Sequence, residues 1–162
     1  MTPTDFPDIC AHELFERQAA RTPLSTALVF GNERISYQDL NERANKLARR
    51  LKRLGVGPDG LVGVCLHRRP EMVVALLAVW KAGGAYVPLD PSYPPERLSF
   101  MVEDAQANVL LTEEKCRPLF AALGDAAFYL DTQWSTVTGE VASNLEPSCD
   151  PSHLAYVMPH HR

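Results

Sequence analysis

The chain has 162 residues, 46% of them hydrophobic and 22% charged, enough to form one domain around its own core and bury about two-thirds of its unfolded surface. A net charge of −4 supplies no basic field for a phosphate backbone, which excludes nucleic acid as a general partner. No apolar run reaches about 18 residues and the opening MTPTDFPDIC lacks the basic and apolar regions of a signal peptide, so a cytoplasmic protein with no membrane contact is expected.

From Asp8 to Ala20, the apolar positions Ala11, Leu14, Phe15 and Ala19 follow helical spacing, and Thr22-Pro23 ends the run. TALVF (26–30) reads as a strand. Gly31-Asn32 and the short link to RISY (34–37) predict a hairpin of two antiparallel strands at one edge of a sheet. The next helix, Tyr37 to Leu54, is the best specified. Ser36 and Asp39 have capping-box spacing, Leu40, Ala44, Leu47, Leu51 and Leu54 form one stripe, and Gly55 supplies the stop. Its other face carries Lys46, Arg49, Arg50, Lys52 and Arg53, read as a solvated surface near a favourable helix dipole rather than an anion-binding patch.

LVGVCLH (61–67) is a continuous apolar run, the mark of a strand covered on both faces. Arg69-Pro70 opens a helix to Ala82 that is apolar nearly all round and must be buried. AYVPL (85–89) gives another strand. Pro94-Pro95 starts a helix bearing Leu98, Met101, Val102 and Ala105, and NVLLT (108–112) is the strand after it. EEKCRPLFAAL (113–123) reads as a helix, AFYLD (127–131) as a short strand, residues 132–152 as a polar loop, and LAYVM (154–158) as an interior strand. This alternation predicts an α/β fold: a layered, mixed but largely parallel sheet with helices on both faces.

The four cysteines, Cys10, Cys65, Cys116 and Cys149, lie far apart with no CxxC spacing, so reduced thiols are expected rather than a zinc site or disulfide scaffold.

WKAGGAYVPLDPSYPPERL (80–98) has a local explanation: Gly83-Gly84 allows a tight turn from helix to strand, and the prolines stiffen the exit. It also resembles the second core motif of the adenylation domains of nonribosomal peptide synthetases. ISYQDLNERANKLARRL (35–51) is similar to their first core motif, and LFERQAARTP (14–23) to the segment that opens such domains. The resemblance implies the incomplete N-terminal subdomain of an adenylate-forming enzyme over residues 1–158, with residues 159–162 a tail outside the family pattern. In that family a strand similar to LAYVM leads into a Ser/Thr- and Gly-rich loop ending in Pro-Lys-Gly that holds the ATP phosphates. Here Pro159, His160, His161 and Arg162 stand instead.

The implied function is a fragment of an amino-acid-activating domain, inactive alone, whose complete form uses ATP and Mg²⁺. Neighbouring synthetase domains or a carrier protein are the implied partners. Two alternatives stay open: a non-catalytic docking module for such a neighbour, and a fragment of an acyl-CoA synthetase. With its cover absent, the strand at 154–158 would leave the chain marginally stable and prone to self-association.

No residue is assigned a catalytic, cofactor-binding or metal role. Lys81 is read as a helix-terminal cation and Asp90 as a turn carboxylate. His67 is read as a polar strand end rather than an anion contact at the next helix, His160-His161-Arg162 as a tail rather than a metal site, and Trp80 and Tyr86 as packing residues.

Overall fold

The computed structural model describes residues 11–145 apart from residues 59 and 68. The expectations for residues 8–10, the end of the polar loop, the strand at 154–158 and the tail at 159–162 lie outside the described residues.

Helix α1 (Ala11–Arg21) leads into β1 (Thr26–Phe30) and β2 (Glu33–Ser36), which pair antiparallel. Within α1, Ala19 is buried and Phe15 packs on Tyr37 with ring centroids 5.5 Å apart, but Leu14 is exposed, against the helical stripe. The hairpin forms a sheet of its own rather than the edge of the larger one. Its buried Ile35, with Ala27 and Leu28, joins the core cluster that includes α2, so helix packing rather than an edge ladder holds it.

Helix α2 (Tyr37–Arg53) starts where expected, with the Asp39 N–H donating to Ser36 Oγ at 3.1 Å. Leu40, Ala44, Leu47 and Leu51 are buried as the stripe requires. Leu54 is not: it is the C-cap, 46% exposed, because the chain leaves helical geometry there before Gly55 at φ 98°.

Four strands, β3 (Leu61–Val64), β4 (Ala85–Pro88), β5 (Val109–Thr112) and β6 (Ala127–Tyr129), form a parallel sheet in the order β4-β3-β5-β6. Helix α3 (Pro70–Lys81) connects β3 to β4, and α4 (Pro95–Ala105) connects β4 to β5. Strand alternation separates two cores. Val62, Val64, Val109 and Leu111 face the cluster containing α2 and α3, whereas Leu110 and Val87 face the one containing Leu98, Met101 and Val102 of α4. Helices therefore cover both faces, as the continuous apolar strands demand.

The helix expected over residues 113–123 forms as a 3-10 helix over Glu114–Ala126. Pro118 within it has no N–H to donate to the carbonyl four residues back, which removes an α-helical bond. At the α3–β4 turn, Gly83 adopts φ 89°, and a Cβ on Gly84 would lie 2.9 Å from the Gly60 carbonyl oxygen, so both glycines are required by geometry.

Candidate functional site

The strand order sets where a site can form. From β3 the chain leaves to α3 on one face of the sheet, and from its neighbour β5 it leaves to the 3-10 segment, which packs on the other. In open α/β sheets such a divergence leaves a crevice beyond the carboxyl ends of the two strands, the usual place for ligands.

His67, Glu113 and Cys116 meet there. Glu113 is buried, and its Oε2 accepts the His67 backbone N–H at 3.1 Å. Its Oε1 lies 3.1 Å from His67 Nδ1 and 3.7 Å from Arg69 Nη1. Cys116, also buried, places Sγ 3.9 Å from the same Nδ1, while its own N–H donates to the Glu113 carbonyl at 2.8 Å. Thr112 Oγ1 donates to the Cys65 carbonyl at 2.7 Å, stitching the two strand ends together. Burial, foremost, pushes the thiols of Cys65 and Cys116 up, so both are protonated at neutral pH, as their reading as reduced thiols anticipates.

His67 is thus a strand end with specific partners, an arrangement that its position before two arginines did not signal. Asp90, beyond β4, is a turn carboxylate as read: Oδ1 accepts the Ser92 N–H at 2.9 Å and its hydroxyl at 2.8 Å, and these bonds hold its carboxyl below the ordinary value. On the α3 face, Arg43, Glu71, Val74, Leu130, Asp131 and Trp134 line a cavity of about 410 Å³.

Lys81 is the last residue of α3, a helix-terminal cation as read, but a buried one. Its side chain is fully buried, and Nζ donates to Glu16 and, at 2.8 Å, to Asn41 Oδ1. Burial pulls the ammonium below its ordinary value and Glu16 opposes that shift. The basic face of α2 is solvated in part, with Lys52 and Arg53 exposed, but its arginines also bind the chain that returns past them. Arg49 donates to the carbonyls of Val141 and Ser143, Arg50 to that of Thr136, and Arg53 pairs with Glu140 at 3.0 Å. Those arginines hold the returning 136–145 segment. Trp80 and Tyr86 pack with ring centroids 6.1 Å apart, as read.

An ATP triphosphate does not fit these described groups. Around the strand ends stand the carboxylates of Glu113, Asp90 and Asp131, Arg69 is bridged to Glu71 and Glu113, Arg43 of α2 pairs with Asp39, and Arg49, Arg50 and Arg53 bind carbonyls and Glu140.

Fold and crevice define a class: an open parallel α/β protein with a ligand-type cleft at its strand ends. The family described as AMP-binding enzyme matches residues 15–159, and the chain belongs to that family. Tyrocidine synthase 3 of Brevibacillus parabrevis is 46% identical over 158 residues, 97% of this chain and 2% of that protein. Gramicidin S synthase 2 of Aneurinibacillus migulanus is 46% identical over 147 residues, 91% of this chain and 3% of that protein. Among solved structures, the nonribosomal peptide synthetase FmoA3 in its alpha-methyl-L-serine-AMP bound form matches with a TM-score of 0.83 at 31% identity, covering 93% of this chain and 17% of that one. The anthranilate CoA ligase AuaEII, at 19% identity and a TM-score of 0.84 over 96% of this chain and 32% of that one, shares the fold. The resemblance to synthetase adenylation domains is borne out by these matches. The chain spans only a small part of each relative. Among the described residues, no helix is long and apolar enough to cross a membrane.

Proposed function

We propose that this chain is the opening portion of an amino-acid-activating region of nonribosomal peptide synthesis, and that it supplies the sheet scaffold rather than the reacting groups. The observation that carries the reading is the match of the fold, over 93% of the chain, to a synthetase at a TM-score of 0.83 and 31% identity. Activation joins a carboxylate to the α-phosphate of ATP, which requires preorganised positive charge and Mg²⁺ around the transferring group. The described strand ends are dominated by carboxylates and do not offer that charge. In this reading ATP and Mg²⁺ belong to the complete region, the neighbouring partners are synthetase domains or a carrier protein, and the compartment is the cytoplasm.

The test is a graft. The matching segment of tyrocidine synthase 3 is replaced with this chain, and amino-acid-dependent exchange of pyrophosphate into ATP is measured for the chimera and for the chain alone. Exchange by the chimera and none by the isolated chain is expected. A folded chimera without exchange sinks the scaffold reading, and reproducible exchange by the isolated chain sinks the assignment of the reacting groups elsewhere.

A further inference from the structure

We propose that His67, Glu113 and Cys116 form a binding site for one divalent transition-metal ion of the zinc class, at the carboxyl ends of β3 and β5. Their donor atoms, His67 Nδ1, a carboxylate oxygen of Glu113 and Cys116 Sγ, lie within 4.8 Å of one another. Bond lengths of about 2.0 Å to nitrogen or oxygen and about 2.3 Å to sulfur put tetrahedral ligands about 3.3–3.5 Å apart. The observed 3.1 Å between His67 and Glu113 and 3.9 Å between His67 and Cys116 bracket that spacing, and the Glu113–Cys116 pair lies within 4.8 Å.

The arrangement is one of convergence, not relay. A proton relay through a histidine uses its two ring nitrogens, one for each partner. Here the carboxylate and the thiol approach the same nitrogen. A bare Nδ1 lone pair facing a carboxylate oxygen at 3.1 Å is repulsive, so a proton or a metal ion must lie between them. The proton serves the empty site, and the ion replaces it.

Charge and ligand type favour the ion. The carboxylate of Glu113 is buried with Arg69 at 3.7 Å and the His67 ring as the facing groups of opposite or ionisable character. A divalent ion there is neutralised by the carboxylate and a Cys116 thiolate together. On binding, the thiol of Cys116 gives up its proton to water, the imidazole ring carries its proton on Nε2, and Nδ1 and Sγ each donate a lone pair. A thiolate with an imidazole selects zinc-class ions over Mg²⁺ or Ca²⁺, which prefer oxygen donors throughout. The ligands are also preorganised: the His67 backbone N–H anchors the second oxygen of Glu113, and the Cys116 N–H binds the Glu113 carbonyl. The His67 side chain is 43% exposed, so the ring reaches solvent while Glu113 and Cys116 are buried.

The probe is Co²⁺, whose thiolate complexes absorb in the near ultraviolet. It is titrated into the full 162-residue chain at neutral pH, with near-UV circular dichroism recorded alongside. A thiolate band saturating at one equivalent and displaced by Zn²⁺ is expected. Cys116→Ser should abolish the band, His67→Asn should weaken binding by about 10-fold or more with an unchanged dichroism spectrum, and Cys65→Ser and Cys10→Ser/Cys149→Ser should keep it. Affinity should rise about tenfold per pH unit below the thiol's titration, one proton being released. Absence of the band, or a band that survives Cys116→Ser or depends on Cys10 and Cys149, overturns the proposal.

Discussion

Lys81 at the end of α3 and Asn41 on α2 meet at 2.8 Å, Nζ to Oδ1, while the same ammonium binds Glu16 of α1. Three helices are thus joined through one buried cation. Because its side chain is fully buried, Lys81→Met strands the Glu16 carboxylate and should cost about 3–5 kcal/mol. The double variant Lys81→Met/Glu16→Met should recover most of that loss, since packed apolar groups replace a buried pair at little cost. Urea unfolding of the two single variants and the double variant checks it. Additive effects would show that the pair is not coupled.

His12 adjoins this cluster and is buried. Burial, foremost, lowers its titration from the ordinary value near 6.5; Glu16 opposes the shift and Lys81 reinforces it. Between the lowered folded value and 6.5 the unfolded chain binds the extra proton, so stability rises with pH across that window. The contribution of His12 is therefore complete above about pH 6.5 and is lost as the pH falls toward the folded value. Urea midpoints measured as a function of pH should show this rise, and His12→Gln should flatten it. An unchanged slope in the variant would assign the rise to other groups.

Asn45 on α2 is fully buried and donates through Nδ2 to the Ala142 carbonyl at 2.8 Å and to Asn144 Oδ1 at 3.0 Å. Asn45→Ala takes the side-chain donor from the Ala142 carbonyl and one of two from Asn144 Oδ1, which keeps Asn41, and should cost about 1–3 kcal/mol. Residues 141–145 have no strand or helix of their own, so limited proteolysis of the variant should accelerate there first. Equal cleavage of parent and variant in this segment would refute the clamp.

Leu47 and Leu54 occupy one sequence stripe but different environments. Leu47 is fully buried and Leu54 is 46% exposed. Leu47→Ala should cost about 2–5 kcal/mol, and Leu54→Ala should stay within about 0.5 kcal/mol of the parent. Thermal or urea unfolding separates them. Comparable losses at both sites would contradict the observed C-cap.

Features that depend on neighbours a few residues apart were legible in the chain alone. The Ser36 cap, the stripe from Leu40 to Leu51, the buried α3 and the Gly83-Gly84 turn all follow local periodicity or backbone geometry, and they carry the family resemblance with them. Local pattern also erred at Leu54, beyond the last helical turn, and left open the helix type that Pro118 decides, since it lacks the N–H an α-helix needs. The remaining contacts waited on the packing of distant segments. Lys81 and Asn41 are 40 positions apart, His67 and Glu113 are 46, and Arg49 and Val141 are 92. Lys81 has the residue type of a solvent-facing helix end, and its burial depends on where α1 places Glu16. The strand order brings His67 and Cys116 together by setting β3 beside β5, with Val62 opposite Val109, a pairing across two connections that no period in the chain encodes, because it depends on which faces the connecting helices cover.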